Sequence, residues 1–177
     1  IAIDKAIMSR EAKAIEPGKY TVILEPAASA QLLGNMFGSF NARTADEGRS
    51  FMSKEGGGTK LGEKIVDERV NIYSDPQNPL VPTSPWAGDG QAYKKMNWIE
   101  NGVVKNLAYS RFWAKEKDVE PVPFPSNGIM EGGDATLEDM IKDTKKGILV
   151  TRLWYIRTVD PQTLLYTGLT RDGTFFI

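Results

Sequence analysis

The sequence runs to 177 residues, 41% of them hydrophobic and 25% charged, with a formal net charge of -1. That balance fits one globular domain with a real core and excludes a disordered or fibrous chain, and it argues against a generally basic surface for phosphate backbones. Histidine and cysteine are both absent, which removes Ser-His-Asp triads, Cys-His pairs, thiol redox chemistry and every imidazole- or thiolate-built zinc site from this chain.

Taken from the start, residues 3–15 place Ile3, Ile7, Ala14 and Ile15 near helical spacing, and Pro17-Gly18 ends the pattern, so a helix is expected there. "KYTVILE" is a short β-branched run that reads as a strand buried on both faces and stopped by Pro26. Ala27 to Phe40 reads as a second helix, with Ala28, Leu32, Leu33, Met36, Phe37 and Phe40 as its apolar stripe. Gly34 and Gly38 weaken that helix by roughly 1 kcal/mol each if interior. Spaced four apart on one face, they also allow another backbone to come close.

Residues 53–64 form a glycine-rich loop, and a strand is expected over 69–73, "RVNIY". Pro76, Pro79, Pro82 and Pro85 make the stretch of about 75–90 a long excursion without regular structure. A hairpin follows, with Asn101-Gly102 at its turn, because both residues tolerate the positive φ of a two-residue type I′ loop. After a second proline-rich connection, Asp134 to Lys146 reads as a helix capped by Asp134 or Thr136 and stopped at Gly147. "ILVTRLWYIRTV" is a long strand, and Arg171 to Gly173 reads as a turn feeding a last strand. No solenoid repeat and no regular βαβ rhythm is present, so the expected class is α+β, a mixed and largely antiparallel sheet with a few packed helices.

The expected organisation is a single domain over 1–177. The chain opens on Ile1 without an initiator methionine and closes in mid-run on "TFFI", so we read it as a fragment of a longer protein. It holds no bilayer-length apolar run, no signal-peptide pattern and no Asn-x-Ser/Thr acceptor; the expectation is a cytoplasmic protein with no membrane and no nucleic-acid partner.

Several motifs invite a chemical reading. "GGGTKLGEK" resembles a phosphate loop only superficially, since Glu63 stands where a Walker pattern starting at Gly57 needs lysine. The glycines and capped helix start of "MEGGDATLED" suit an anion, yet Asp134 and Glu138 would repel one. Asp46, Glu47, Asp67, Glu68, Asp89, Glu131 and Asp134 are the carboxylates available for acid–base work or a hard cation, but adjacent carboxylates point apart on a strand and diverge by about 100° on a helix. Ser9, Ser29, Ser50 and Lys60 are the possible members of a serine–lysine pair. In "TRLWYIR", strand alternation sets Arg152, Trp154 and Ile156 on one face against Leu153, Tyr155 and Arg157 on the other. Such a strand can contact a peptide or a partner, or simply rim a core with stacked arginines.

The succession "IEPGKYTVILEPAASAQLL", "EGRSF", "GTKLGEKIVDERVNIYSDP", "DGQAYKKMNWIENGVVKNL", "SNGIMEGGDATLEDMIKDTKKGILV" and "VDPQTLLYTGLTRDGTFFI" resembles the C-terminal domain of the TldD/PmbA family, from about Ile15 to the last residue. That family comprises metalloprotease subunits and their partners, once named modulators of DNA gyrase. In its catalytic subunits the helix after the first strand looks like Leu-Leu-His-Glu-x-x-Gly-His, whose histidines bind zinc and whose glutamate is general base for water attacking a peptide carbonyl. Here the same place reads Leu32-Leu33-Gly34-Asn35-Met36-Phe37-Gly38-Ser39. Glycine and serine stand for the imidazoles and asparagine for the glutamate. The resemblance therefore implies the PmbA (TldE-like) partner branch or a TldD-related protein, with Gly34, Asn35, Gly38 and Ser39 as a vestigial motif and no catalytic residue or metal in this chain. Zinc would belong only to a catalytic partner. The implied assembly is a homo- or hetero-oligomer with a TldD-like subunit, acting on unstructured or short peptides. Two other readings stand beside it: a stand-alone module that binds extended peptides at a sheet edge, and a carboxylate- or serine-based hydrolase.

Overall fold

The computed structural model describes residues 2–177. In chain order these form helix α1 (Ala2–Met8), strand β1 (Val22–Leu24), helix α2 (Pro26–Phe37) running into a 3-10 turn at Gly38–Phe40, and helix α3 (Ala42–Asp46). Strands β2 (Ile72–Ser74), β3 (Met96–Glu100) and β4 (Val103–Val104) precede helix α4 (Arg111–Lys117), strand β5 (Ile129–Met130) and helix α5 (Leu137–Asp143). The long strands β6 (Ile148–Asp160) and β7 (Leu165–Phe176) close the chain. The class is α+β, with one mixed and one antiparallel sheet.

The chain divides into two compact units: Ile1–Leu33, Gly133–Val159 and Tyr166–Ile177 in one, Gly34–Gly132 and Asp160–Leu165 in the other. In the first, the sheet order is β1-β6-β7. β1 runs parallel to β6, pairing Val22 with Ile148 and Leu24 with Val150. β6 and β7 are antiparallel, as the reciprocal bonds between Gly147 and Ile177 at 2.7 and 2.9 Å require. Ile23, Leu149 and Val150 are buried with Ala28 of α2. β1 is not the doubly buried strand expected: it is a three-residue edge, and Val22 remains 47% exposed. The first helix is also shorter than expected. α1 buries none of its residues, and a single amphipathic turn or two without packing is too short to propagate further.

α5 is shorter than the helix expected over Asp134 to Lys146: it runs Leu137–Asp143 and ends at Thr144, whose N–H donates to the Ile141 carbonyl, rather than at Gly147. Thr136 Oγ1 accepts from the Asp139 N–H at 3.1 Å while the Asp139 carboxylate accepts from the Thr136 N–H at 3.1 Å, a reciprocal capping box, so Thr136 rather than Asp134 is the cap.

In the second unit the sheet order is β4-β3-β2-β5, antiparallel throughout. Its turn lies at Asn101 (φ 51°) and Gly102 (φ 75°), the type I′ geometry expected. Gly102 is also fixed by a close approach, since a Cβ there would meet the carbonyl oxygens of Val66 and Asp67. The core gathers Phe40, Met52, Trp98, Val104 and Leu107, all but fully buried, with Ile72 and Ile99 of the sheet. Phe40 stacks edge-on to Trp98 at 5.8 Å between centroids, and the indole N–H donates to Ser74 Oγ at 3.0 Å. The strand expected at 69–73 begins later. Asp67 Oδ1 accepts from the Arg69 N–H and the Asp67 carbonyl from the Val70 N–H, making a turn of the first residues and shifting the strand to Ile72–Ser74.

Candidate functional site

α2 is launched from Glu25. The Glu25 carbonyl accepts from the N–H groups of Ala28 and Ser29, its carboxylate holds Lys5 at 2.7 Å, and Pro26 supplies the preset φ of a first helical position. The α-helix stops at Phe37, and Gly38–Phe40 tighten to 3-10 before Asn41 caps α3 through its side-chain oxygen to the Thr44 N–H. All four residues of the expected vestigial motif fall at this transition. Gly34 and Gly38 are exposed, and a Cβ on either would meet no atom within 4 Å. Among the described residues, no other backbone comes close to these two glycines.

Asn35 is half-buried; its Nδ2 atom is buried and has no hydrogen-bond partner among the described residues. Ser39 is 6% exposed, and its carbonyl accepts from the buried Ser50 hydroxyl at 3.2 Å. As a donor set for zinc these positions do not fit. Two glycines offer no side chain, a hydroxyl is a poor neutral ligand, and an amide neither ligates zinc well nor accepts a proton at neutral pH. Among the described residues, no group of three or more Asp, Glu, His or Cys side chains converges to hold a metal ion.

Asp46, Glu47, Asp67, Glu68 and Asp89, five of the carboxylates singled out from sequence, have local partners. Asp46 accepts from Trp113 Nε1 at 2.8 Å and faces Lys117 at 3.4 Å. Glu47 is held below the usual carboxylate range by the Arg49 and Arg43 guanidiniums. Asp67 is held well below it by hydrogen bonds from the Arg69 side chain and backbone. Glu68 pairs with Lys64 at 3.0 Å, and Asp89 is lowered by hydrogen bonds from the Gln91 side chain and backbone. Ser50 spends its hydroxyl on Ser39 O, whereas Lys60 rests on the ring of Phe51 at 3.9 Å. Glu131 and Glu100 line a polar recess of about 240 Å³ with Asn71, Tyr73 and Asn97. A larger cleft of about 300 Å³ lies among Asn41, Asp89, Gln91, Tyr93, Ser110 and Phe124.

β6 departs from plain alternation. Tyr155 has φ 57°, a left-handed residue inside a strand, and its ring comes to 6.2 Å from that of its neighbour Trp154. Two side chains expected on opposite faces thus lie together. Arg157 stacks on Tyr155 at 4.9 Å and Arg152 on Trp154 at 5.5 Å. A residue the sequence reading missed, Arg171 of β7, covers Trp154 at 4.2 Å. Its position next to the Asp172-Gly173 turn signal was the available hint. That signal produces positive φ as expected, 63° and 125°, but as an irregularity within β7 rather than a turn before it.

Comparison with known proteins places this geometry among relatives. The family model described as the PmbA/TldA metallopeptidase C-terminal domain matches residues 17–177. A metalloprotease of Methanocaldococcus jannaschii is 26% identical over 162 residues, which is 84% of this chain and 35% of that protein. A metalloprotease of Methanothermobacter thermautotrophicus is 26% identical over 160 residues, 82% of this chain and 34% of that protein. The chain thus spans about a third of the length of these relatives. Among solved structures, a protein of Bacteroides thetaiotaomicron named as a candidate modulator of DNA gyrase superposes with a TM-score of 0.76 at 27% identity, covering 91% of this chain and 36% of that one. TldE from Thermococcus kodakarensis superposes with a TM-score of 0.76 at 21% identity, covering 99% of this chain and 45% of that one, a likeness of fold.

Proposed function

Because the chain belongs to the PmbA/TldA metallopeptidase C-terminal domain family, we propose that it is a zinc-less, non-catalytic part of a TldD/PmbA-type protease system acting on unstructured peptides. One observation carries this reading: the helix-to-3-10 transition presents Gly34, Asn35, Gly38 and Ser39, and none of these can supply an imidazole, a thiolate or a carboxylate to a metal. The zinc and its activated water would then come from a catalytic, TldD-like subunit, with this chain in a cytoplasmic homo- or hetero-oligomer. Arg152, Trp154, Tyr155 and Arg157 are the peptide- or partner-contact residues in this reading.

The test is assembly. The full-length protein is mixed with a catalytic relative, the complex is isolated by size exclusion, and hydrolysis of a casein-type unstructured substrate is followed. Activity of the mixture above the sum of its components supports the reading; two proteins that elute separately and do not alter each other's activity contradict it.

A stand-alone peptide binder is the second reading. It draws on β7, an edge strand of the β1-β6-β7 sheet. The carboxylate- or serine-based hydrolase gains no support, since Asp46, Glu47, Asp67, Glu68 and Asp89 are engaged by their own neighbours and Ser50 and Lys60 have different partners.

A further inference from the structure

The surface of β6 and β7 around Trp154 carries cations in excess. Arg152, Arg157 and Arg171 are all exposed, and among the described residues Asp172 is the one carboxylate paired with them, 3.3 Å from Arg152 and 3.6 Å from Arg171. Arg157 touches the ring of Tyr155 and has no carboxylate partner among the described residues. The rings stay on the surface too, Trp154 being 37% and Tyr155 61% exposed. A guanidinium stacked on an aromatic face keeps its N–H edge free in a fixed plane, the arrangement that matches a carboxylate bidentately.

We infer that this face binds an acidic, extended polypeptide segment, with carboxylates on alternate residues received by Arg157 on Tyr155 and by Arg171 and Arg152 on Trp154. The inference rests on reading this strand as a peptide or partner contact, and it adds the chemical class of the segment. Charge complementarity selects that class: three guanidiniums face one carboxylate. The two rings that display the guanidiniums are 6.2 Å apart, within reach of one extended segment, whose same-face side chains recur at ~7 Å. The left-handed Tyr155 creates this spacing, since ordinary alternation would send one ring to the opposite face. A nucleic acid fits less well. The Trp154 face on which a base would stack is already covered by Arg171.

The test uses the full-length protein and a fluorescein-labelled ten-residue peptide of alternating glutamate and threonine, with a glutamine–threonine peptide and a single-stranded oligonucleotide of equal charge as comparisons. Fluorescence anisotropy at low and physiological salt reads the affinity. The acidic peptide is expected to bind about tenfold more tightly than its glutamine analogue, and to weaken as salt screens the exposed charges. Arg157→Gln and Arg171→Gln should each weaken it about three- to tenfold, whereas Lys115→Gln, on the exposed α4, should leave it unchanged. Arg157→Gln breaks no ion pair, so circular dichroism and a thermal melt identical to the parent keep that variant decisive even if Arg171→Gln perturbs the strand pair. Equal affinity for the glutamine peptide, full affinity in the Arg157→Gln variant, or tighter binding of the oligonucleotide overturns the inference. Because the protein is assayed without a catalytic relative, these results are independent of whether the proposed protease complex forms.

Discussion

The backbone of Gly128 passes directly against the ring of Phe37, so that a Cβ at position 128 would overlap the ring edge. Phe37 is the last residue of α2 and packs on Phe40 at 5.6 Å and edge-on to Trp98 at 6.5 Å. Gly128→Ala should therefore push the ring out of this cluster and destabilise the protein by about 1–3 kcal/mol. Gly34→Ala should do the opposite. With open space at its Cβ and a helical backbone, alanine is expected to stabilise by about 0.5–1 kcal/mol. Urea titrations of the two variants should move their midpoints in opposite directions.

The same contrast bears on the vestigial motif. Gly34→His places a side chain into open space and should change stability by less than about 0.5 kcal/mol. Ser39→His must fit an imidazole where the hydroxymethyl group is 6% exposed, and should cost about 1–3 kcal/mol. If both variants unfold at the parent's midpoint, the packing around Ser39 is looser than the structure has it.

α5 supplies a prediction with a pH sign. Thr136→Ala removes the cap oxygen and should cost about 1 kcal/mol. Its partner Asp139 is lowered by hydrogen bonds from the Thr136 side chain and backbone, so it stays ionised in the folded state at pH values where the unfolded chain takes up a proton. A depressed carboxylate contributes stability that is fully present above its ordinary range, near pH 4, and is lost as pH falls through and below it. Thermal melts of the parent and of Asp139→Asn between pH 7 and pH 3 should converge as the pH drops. A gap that stays constant would contradict the capping box.

Trp98 and Ser74 provide a buried test of the second sheet. Ser74→Ala leaves the indole N–H without its acceptor in a residue that is 1% exposed, and should cost about 1–3 kcal/mol. Trp98→Phe with Ser74→Ala removes both partners. The double variant should lose less than the sum of the two single ones, which a double-mutant cycle by chemical denaturation measures.

What the sequence made legible was local. Asn101-Gly102 specifies its turn because few residues accept two positive φ values in succession, and a helix start was legible near Asp134 or Thr136, between which the Thr136–Asp139 capping box decides. The family resemblance was legible for a related reason: it rests on a fixed order of such local signals. Features that depend on distant chain segments were not legible. The exposure of Val22 follows from β1 lying at a sheet edge, which a run of β-branched residues does not reveal. α3 and α4 are five and seven residues long, too short for a periodic pattern, and are started by caps from Asn41 and Ser110. Tyr155 is a non-glycine residue with positive φ inside a strand, and nothing in "TRLWYIR" marks it. Arg171 was missed because only the pairing of β6 with β7 brings it over Trp154.

The central claim is that this chain holds no hydrolytic metal of its own, and zinc content tests it most directly. The full-length protein is purified without chelators, dialysed against zinc and then against buffer, and its metal is counted by plasma mass spectrometry alongside a catalytic relative treated in the same way. The account predicts zinc far below one equivalent per chain, unchanged by Asn35→Ala or Ser39→Ala, beside a stoichiometric relative. One tightly held equivalent per chain that either substitution removes, accompanied by peptide hydrolysis from the protein alone, would contradict it.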